Sequence, residues 1–276
     1  MCLGTDDKGH YILSPVASCD TVAGHCQVPE TLYPLNQHAK RAFHSAVALD
    51  DGRIVVVGGL TRSIEGNIYT ATDERDPVVE IFDPTTITWS TLDVEAMVGI
   101  GAGNRHSTAF HSAVYLGGSQ VALVGGVRRA ELSIGDGSGS AGALRVNVPE
   151  QSGPQNENAS DLVFILDVDD GSAQVGSLSS ARFMLDATLV TNPAGPRLLV
   201  TGGAVPMDSG RVPVNTTELC SLGEDEMVSC EAPIIDDGTL ARERMGHCSI
   251  CLDEDPGATC DDLLVYGGAS KDVPGD

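Results

Sequence analysis

The stretch RAFHSAVALDDGRIVVVGGL, residues 41–60, continues after a polar insert as VVEIFDPTTITWSTL, residues 78–92. Runs rich in Val, Ile, Phe and Trp alternate here with Asp-Gly, Gly-Gly and Asp-Pro, which is typical of short β-strands joined by turns. The runs are His44–Leu49, Arg53–Val57, Val78–Phe82 and Thr88–Leu92. The stretch therefore predicts a unit of four strands.

The same unit returns further along the chain. Phe43-His44-Ser45-Ala46-Val47 recurs as Phe110-His111-Ser112-Ala113-Val114, and in both copies a double glycine begins 14 positions after the histidine. A third copy has Leu185 in the histidine position, and a fourth copy has His247. The double glycines are Gly58-Gly59, Gly125-Gly126, Gly202-Gly203 and Gly267-Gly268. A recurring landmark of this kind predicts a repeat architecture.

These residues resemble the kelch repeat family, in which a strand ending in Gly-Gly precedes a strand like VEIFDP and a Trp such as Trp89. The Trp is absent from the second and third copies, and the second copy also lacks an acidic residue aligned with Glu80. The resemblance implies an all-β fold, a β-propeller whose blades are four-stranded antiparallel sheets. About four blades are present, either as a closed four-bladed ring or as part of a larger propeller.

The repeats divide the single predicted propeller domain, residues 1–276. Three complete blades are expected at 37–103, 104–179 and 180–239. Residues 1–36 would supply the outer strands of a split blade, with Tyr11–Pro15 and Cys19–Val28 as the pair, and 240–276 would supply the inner strands of a split or incomplete blade. These two half-blades could join and close a four-bladed ring; if the chain is instead a segment of a larger propeller, blades or domains of a longer chain are missing, because an open ring exposes strand edges.

Charge excludes one class of partner. The chain carries 39 acidic and 16 basic residues, a formal charge of −23, so the phosphates of nucleic acids would be repelled. No run of about 18 apolar residues is present, and we expect no membrane span.

Eight cysteines indicate an oxidising compartment. Their spacing predicts cross-strand disulfides Cys19–Cys26 and Cys220–Cys230, and a disulfide Cys251–Cys260 that closes a lengthened turn. Cys2 and Cys248 are left over. The expected location is extracellular, cell-surface or periplasmic, with a leader that this sequence does not contain.

A zinc site is the alternative explanation of the last cysteines. His247, Cys248, Cys251 and Cys260 are the candidate ligands. Side chains at 248 and 251 point to opposite faces of one strand, so both reach a single metal poorly. We therefore predict no metal, no cofactor and no catalytic residues. The recurring His44, His111, Arg41 and Arg244 are interpreted as structural.

Long inserts follow the double glycines, at Leu60–Pro77, Val127–Ser160 and Ala204–Asn215. Long loops on a rigid scaffold commonly carry recognition. The inserts hold a notable share of the basic residues of this acidic chain, and we predict that they form a binding rim for an acidic glycan or peptide. The predicted rim residues are Arg62, Arg75, Arg128, Arg129 and Arg211. The alternative interpretation is that these arginines are scattered surface charges that keep the protein soluble.

Three functional classes follow. The first is a non-catalytic, extracytoplasmic module that binds a protein or glycan. The second is a sugar-acting propeller enzyme, an oxidase or an epimerase, as the kelch resemblance allows. The third is an intracellular adaptor of the kelch type, which the paired cysteines disfavour.

Overall fold

A computed structural model describes the chain over most of its repeats. The described residues are 3–5, 11–13, 18–20, 25–27, 41–60, 62–65, 68–71, 79–92, 94, 108–134, 144–148, 158–192, 195–207, 210–222, 228–232, 239–252, 260 and 262–270. These residues form strands and turns and no helix, so the all-β prediction is confirmed. None of them forms a helix that could span a membrane.

Twenty-three strands are present in the described residues. The first ten are β1 (Leu3–Thr5), β2 (Tyr11–Leu13), β3 (Ser18–Asp20), β4 (His25–Gln27), β5 (Ser45–Ala48), β6 (Ile54–Val57), β7 (Arg62–Glu65), β8 (Ile68–Thr70), β9 (Val79–Asp83) and β10 (Thr88–Leu92). The next six are β11 (Ser112–Gly117), β12 (Gln120–Val124), β13 (Arg129–Ile134), β14 (Leu144–Asn147), β15 (Leu162–Asp167) and β16 (Ala173–Ser177). The last seven are β17 (Asp186–Asn192), β18 (Gly195–Thr201), β19 (Ala204–Met207), β20 (Gly210–Ser221), β21 (Ser229–Glu231), β22 (Thr239–Cys251) and β23 (Leu263–Ala269).

The repeats share one strand order. In repeat one the order is β5, β6, β9, β10, in repeat two β11, β12, β15, β16, and in repeat three β17, β18, β20, β21, all antiparallel within a repeat. Repeat four contributes β22 and β23. Repeats two to four join into one eleven-stranded sheet that curls as a half-barrel. The Ser177–Ser229 parallel bridge connects repeats two and three.

Neighbouring repeats pack face against face. One apolar cluster holds Val47 and Val55 of repeat one against Leu123 and Phe164 of repeat two. The opposite face of repeat two packs in the same manner against Leu198 of repeat three and its neighbours. Alternation of side chains along each strand gives every repeat two apolar faces, which is why the strands read as nearly continuous hydrophobic runs.

A buried ion pair recurs where repeat-one and repeat-three strands begin. Arg41 Nη2 lies 2.8 Å from Glu80 Oε2, and Arg182 Nη2 lies 2.5 Å from Glu218 Oε1. Each arginine also donates to the carbonyl oxygen of the first glycine of its double glycine, at 2.7 Å and 3.3 Å. In repeat two the Thr108 hydroxyl donates to the corresponding Gly125 carbonyl at 3.0 Å. The recurring arginines are therefore structural.

Two of the predicted disulfides are present. Cys220 and Cys230 are bonded across β20 and β21, and Cys251 is bonded to Cys260. The second bond engages two of the four candidate zinc ligands. Cys19 and Cys26 are direct backbone partners of β3 and β4, while their side chains lie outside the described residues. Cys248 is an exposed free cysteine.

The described N-terminal strands form two separate hairpins. Tyr11–Leu13 pairs with Leu3–Thr5, and Ser18–Asp20 pairs with His25–Gln27. The second hairpin brings Cys19 opposite Cys26, as their spacing predicts, and the assignment of residues 1–36 to the outer strands of a split blade stays a prediction. Each segment finds its hydrogen-bond partner in a near neighbour of the chain.

Candidate binding surface

The inserts of repeats one and two combine into a separate four-stranded sheet. Its order is β14-β13-β8-β7, and β13 from the second insert pairs with β8 from the first. We call these four strands the insert sheet. Two inserts that are distant in the chain thus form one surface element.

One side of the insert sheet is apolar and covers the beginnings of two repeats. Tyr69, Ala130, Leu132 and Val146 belong to the same cluster as Phe43 and Phe110. The Phe43 and Phe110 rings stack with their centroids 4.2 Å apart. Both phenylalanines have positive φ angles, 59° and 57°, which turns the chain as each first strand begins. Burial of this face fixes the sheet to the repeats.

Asn158 attaches the same sheet to the scaffold by hydrogen bonds. Its side-chain Oδ1 accepts from the Arg129 backbone N–H at 2.7 Å, and its Nδ2 donates to the Arg129 carbonyl at 2.9 Å. The Arg128 N–H donates to the Asn158 carbonyl at 2.9 Å. Asn158 is 7% exposed, so the paired groups are protected from water.

Two of the predicted rim arginines lie in one row of the insert sheet. Arg62 and Arg129 are both backbone partners of Thr70, from the two sides of β8. Arg145 of β14 is the partner of Ser133, four residues after Arg129 on the same strand and therefore at a position of the same parity. The polar side of the insert sheet thus contains three arginine positions, of which Arg129 is exposed, together with the Glu65 and Glu131 positions.

Arg128 is adjacent to this row and differs in environment. Its side chain is half-buried, and burial, together with the neighbouring Arg129 charge, lowers its pKa. The guanidinium stays protonated at neutral pH because the ordinary pKa of an arginine lies far above neutrality. Arg128 therefore adds positive charge next to the exposed arginine.

The remaining rim arginines are elsewhere. Arg211 pairs with Pro206 in the hairpin of β19 and β20, which is not part of the insert sheet. Arg75 lies outside the described residues. The structure therefore brings together Arg62, Arg128 and Arg129 and separates Arg211 from them.

Buried histidines occupy the repeat junctions. His111 Nδ1 lies 2.9 Å from the Thr108 carbonyl, and burial lowers the His111 pKa to about 4. His247 Nε2 lies 2.8 Å from the Thr201 hydroxyl, and burial lowers the His247 pKa. The cavity beside His111 and Gly58 measures about 10 Å³, room for about one water. Both histidines lie between repeats, and the cavity beside His111 is too small for a substrate.

Metal ligation has no geometric support in the described ranges. Within them, no group of three or more His, Cys, Asp or Glu side chains is placed to hold a metal ion.

The insert sheet and Arg145 are the features that sequence reasoning missed. Residues 129–134, RAELSI, alternate polar and apolar side chains with a period of two, which is the signal of a half-buried strand. The partner of that strand is not readable from the alternation, because β8 lies about 60 residues away in the chain.

Comparison with known proteins gives a structural likeness alone. No protein-family profile matches the chain, and no curated protein matches its sequence. Among solved structures 105 chains match, including one titled "Structure of YjhT" with a TM-score of 0.54 at 14% sequence identity. The match covers 97% of this chain and 72% of that chain. At this identity the likeness concerns the fold.

Proposed function

We propose that this chain is part of a kelch-type β-propeller that acts as an extracytoplasmic, non-catalytic binding module. Its contact surface is the polar side of the insert sheet, and its partner is a protein or glycan bearing clustered carboxylates. Three repeats with a shared order of four strands and face-to-face packing, followed by the two strands of repeat four, support the propeller arrangement. The match to a solved structure at a TM-score of 0.54 supports the fold.

One observation carries the proposal: the inserts of two repeats are built into a single ordered sheet with one apolar and one arginine-bearing side. The apolar side is buried against the repeats, whereas Arg129 and Asn147 of the opposite side are exposed. A preordered surface loses little conformational entropy on binding. The Arg62, Arg129 and Arg145 positions outnumber the Glu65 and Glu131 positions on this side, so its formal charge is opposite in sign to that of the whole chain.

The net charge of the chain and the local charge of the insert sheet together indicate which ligands we expect. A chain of formal charge −23 repels anions at a distance, whereas a local arginine cluster attracts them over roughly a Debye length, about 8 Å at physiological salt. Arginine forks match carboxylate geometry with two parallel hydrogen bonds. Short, locally dense carboxylates therefore fit better than long polyanions.

The disulfides support the extracytoplasmic location in this proposal. Cys220–Cys230 and Cys251–Cys260 are consistent with an oxidising environment outside the cytoplasm.

A binding assay with two carboxylate probes tests the proposal. A hexaglutamate peptide and a galacturonate hexasaccharide are immobilised, and binding of wild-type protein and variants is measured by biolayer interferometry at 50 and 200 mM salt. We expect Arg129→Glu to weaken binding to the favoured probe at least tenfold, about 1.4 kcal/mol or more. Added salt should also weaken it.

The control is Arg242→Glu, the same charge change at an exposed arginine of β22 outside the insert sheet. It should change the affinity less than twofold. Equal losses in the two variants, or no binding to either probe, would refute the proposed surface.

A further inference from the structure

Every described junction between repeats uses the same contact. The first glycine of one double glycine receives the side chain that begins the next repeat: a Cβ added at Gly58 would lie 2.7 Å from His111 Cε1, one at Gly125 2.7 Å from Leu185 Cδ2, and one at Gly202 2.7 Å from His247 Cε1. Only glycine, which has no side chain, leaves room at this position for the side chain from the next repeat. We call this glycine position the glycine seat. The junction therefore has two halves, a glycine seat and a histidine or leucine that fills it.

Gly267 is an unfilled seat among the described residues. It has the same left-handed backbone as Gly58, with φ angles of 72° and 64°, but a Cβ placed on it would meet nothing within 4 Å. The equivalent glycines of the three preceding repeats are all filled. Among the described residues, no side chain therefore packs on this glycine of repeat four.

The strand face beside this seat is apolar and exposed. Ile250, Leu264 and Tyr266 are 53%, 44% and 54% exposed. By strand register they correspond to Val47, Val55 and Val57 of repeat one, which are 9%, 0% and 2% exposed beneath repeat two. A face of this composition is buried wherever a next repeat follows it.

Repeat one carries the other half of the junction, the side chain that fills a glycine seat. His44 occupies the position of His111, Leu185 and His247. Ala46 and Ala48 beside it are exposed, whereas Ala187, which matches Ala46 in repeat three, is 7% exposed under repeat two. One chain thus carries both halves of a junction, on faces that do not meet each other.

We propose that a second copy of this chain covers the β22–β23 face. Repeat one of one copy packs on repeat four of the other, with His44 in the Gly267 seat. The three internal junctions provide the template, so the contact continues an interface already built into the molecule. The chain's own repeat one does not fill this role, because a Cβ at Gly267 would meet none of the described residues within 4 Å.

The contact joins different faces of the two copies, so it is head-to-tail. Such contacts either close into a ring or propagate as a filament. A closed ring of two chains contains two identical contacts of this kind. Two copies together carry a formal charge of about −46, so added salt should strengthen the association by screening their repulsion.

Molar mass in solution tests the contact. Light scattering after gel filtration, at 1 to 100 µM protein and at 0.15 and 0.5 M salt, should show a two-chain species whose share rises with concentration and salt. Tyr266→Asp should shift the dissociation constant at least a hundredfold toward monomer. Ile87→Asp, which changes a 47% exposed isoleucine in a turn of repeat one, should not.

A single-chain mass at every concentration and salt would overturn the proposal, as would a two-chain species that Tyr266→Asp leaves intact. Larger assemblies that Tyr266→Asp dissolves would support the head-to-tail contact in its propagating form. Circular dichroism of each variant checks that the β-structure is retained.

Disulfide cross-linking distinguishes whether the β22–β23 face is covered by a second copy or by another part of the same chain. At the junction of repeats three and four, the Ser249 backbone N–H and hydroxyl donate to Asp186 Oδ2 at 2.5 and 2.6 Å. Cys248 corresponds to Asp186 and Ala46 corresponds to Ser249. In a Cys2→Ser background, Ala46→Cys should therefore form an intermolecular disulfide with Cys248 under mild oxidation.

Non-reducing electrophoresis should show the two-chain band for Ala46→Cys and not for Thr86→Cys, a control in an exposed turn. Adding Cys248→Ser should remove the band. A monomeric product in which the introduced thiol and Cys248 are bonded within one chain would overturn the second copy as the occupant.

Discussion

At the scale of single residues, His111 couples repeat packing to pH. Its ring fills the Gly58 seat, and its Nε2 is buried without a hydrogen-bond partner in the described structure. Burial, the largest cause, lowers its pKa to about 4. Repeat three uses Leu185 at the same position, so an apolar side chain of similar volume satisfies the junction without a titrating group.

The variant His111→Leu should reduce the acid sensitivity of folding. In the unfolded chain the histidine binds a proton near its ordinary pKa of about 6.5. In the folded protein its pKa is about 4, so it stays neutral until the pH falls to that value. Between these values the unfolded state holds more protons, so the free energy of unfolding falls as pH falls. The His111 share of that fall between pH 7 and pH 5 is about 2 kcal/mol, and the variant should lose it.

Urea unfolding of wild type and His111→Leu at pH 7 and pH 5 measures this difference directly. Carboxylates and the other histidines titrate in both proteins, and their effects cancel in the comparison. An equal drop in unfolding free energy for the two proteins would contradict the assignment.

At the scale of elements, the insert sheet depends on a few attachments. Its apolar face and the Asn158 side chain hold it to the repeats, whereas the repeats themselves are held by larger clusters. Elements with fewer buried contacts open locally before the whole molecule unfolds. The sheet should therefore have a lower local stability than β15.

The variant Asn158→Ala should loosen the insert sheet while leaving the repeats folded. It deprives the Arg129 N–H and carbonyl of their partners, and an unsatisfied buried group costs about 1–3 kcal/mol. Hydrogen exchange at the first residues of β13 should accelerate at least tenfold, with little change in β15. The matched control, Asn147→Ala, removes a single exposed 3.1 Å hydrogen bond to Glu131 and should change little.

Similar exchange rates in the Asn158→Ala and Asn147→Ala variants would show that the apolar face alone anchors the sheet. Acceleration spread over β15 as well would show that the insert sheet and the repeats open as one unit.

At the scale of the whole molecule, stability depends on contacts between successive repeats. Repeat architectures sum the stability of each unit and of each junction, so a defect at one junction weakens the entire stack. Gly125 lies at such a junction: a Cβ there would approach the Arg182 carbonyl to 2.5 Å. The ends of the stack keep one uncovered face, which is the basis of the proposed assembly.

The variant Gly125→Ala should destabilise the protein more than Gly118→Ala. Both glycines have positive φ, 66° and 60°, and share a backbone cost of roughly 1–2 kcal/mol. A Cβ at Gly118 meets nothing within 4 Å, whereas at Gly125 it collides with repeat three. Overpacking adds about 1–3 kcal/mol. Chemical unfolding measures the free energy of unfolding of the two variants. Equal losses would mean that repeat three moves away from the added methyl group without loss of stability.

The sequence by itself determined the all-β class, the repeat spacing and the cysteine pairs Cys220–Cys230 and Cys251–Cys260. Turn residues, side-chain alternation and short hairpin spacing are local properties, so they can be read from neighbouring positions. The recurring Arg41 and the junction histidines could also be interpreted as structural, because recurrence at equivalent positions indicates a shared packing role.

Only the tertiary structure decided that Arg62 and Arg129 lie in one row on the two sides of β8 while Arg211 lies apart, and that β22 and β23 leave one apolar face uncovered among the described residues. Pairing between distant strands is selected by the packing of their faces and by the register of the whole sheet. An alternating pattern such as residues 129–134 is compatible with many partners, and burial against Phe43 and Phe110 selects one of them.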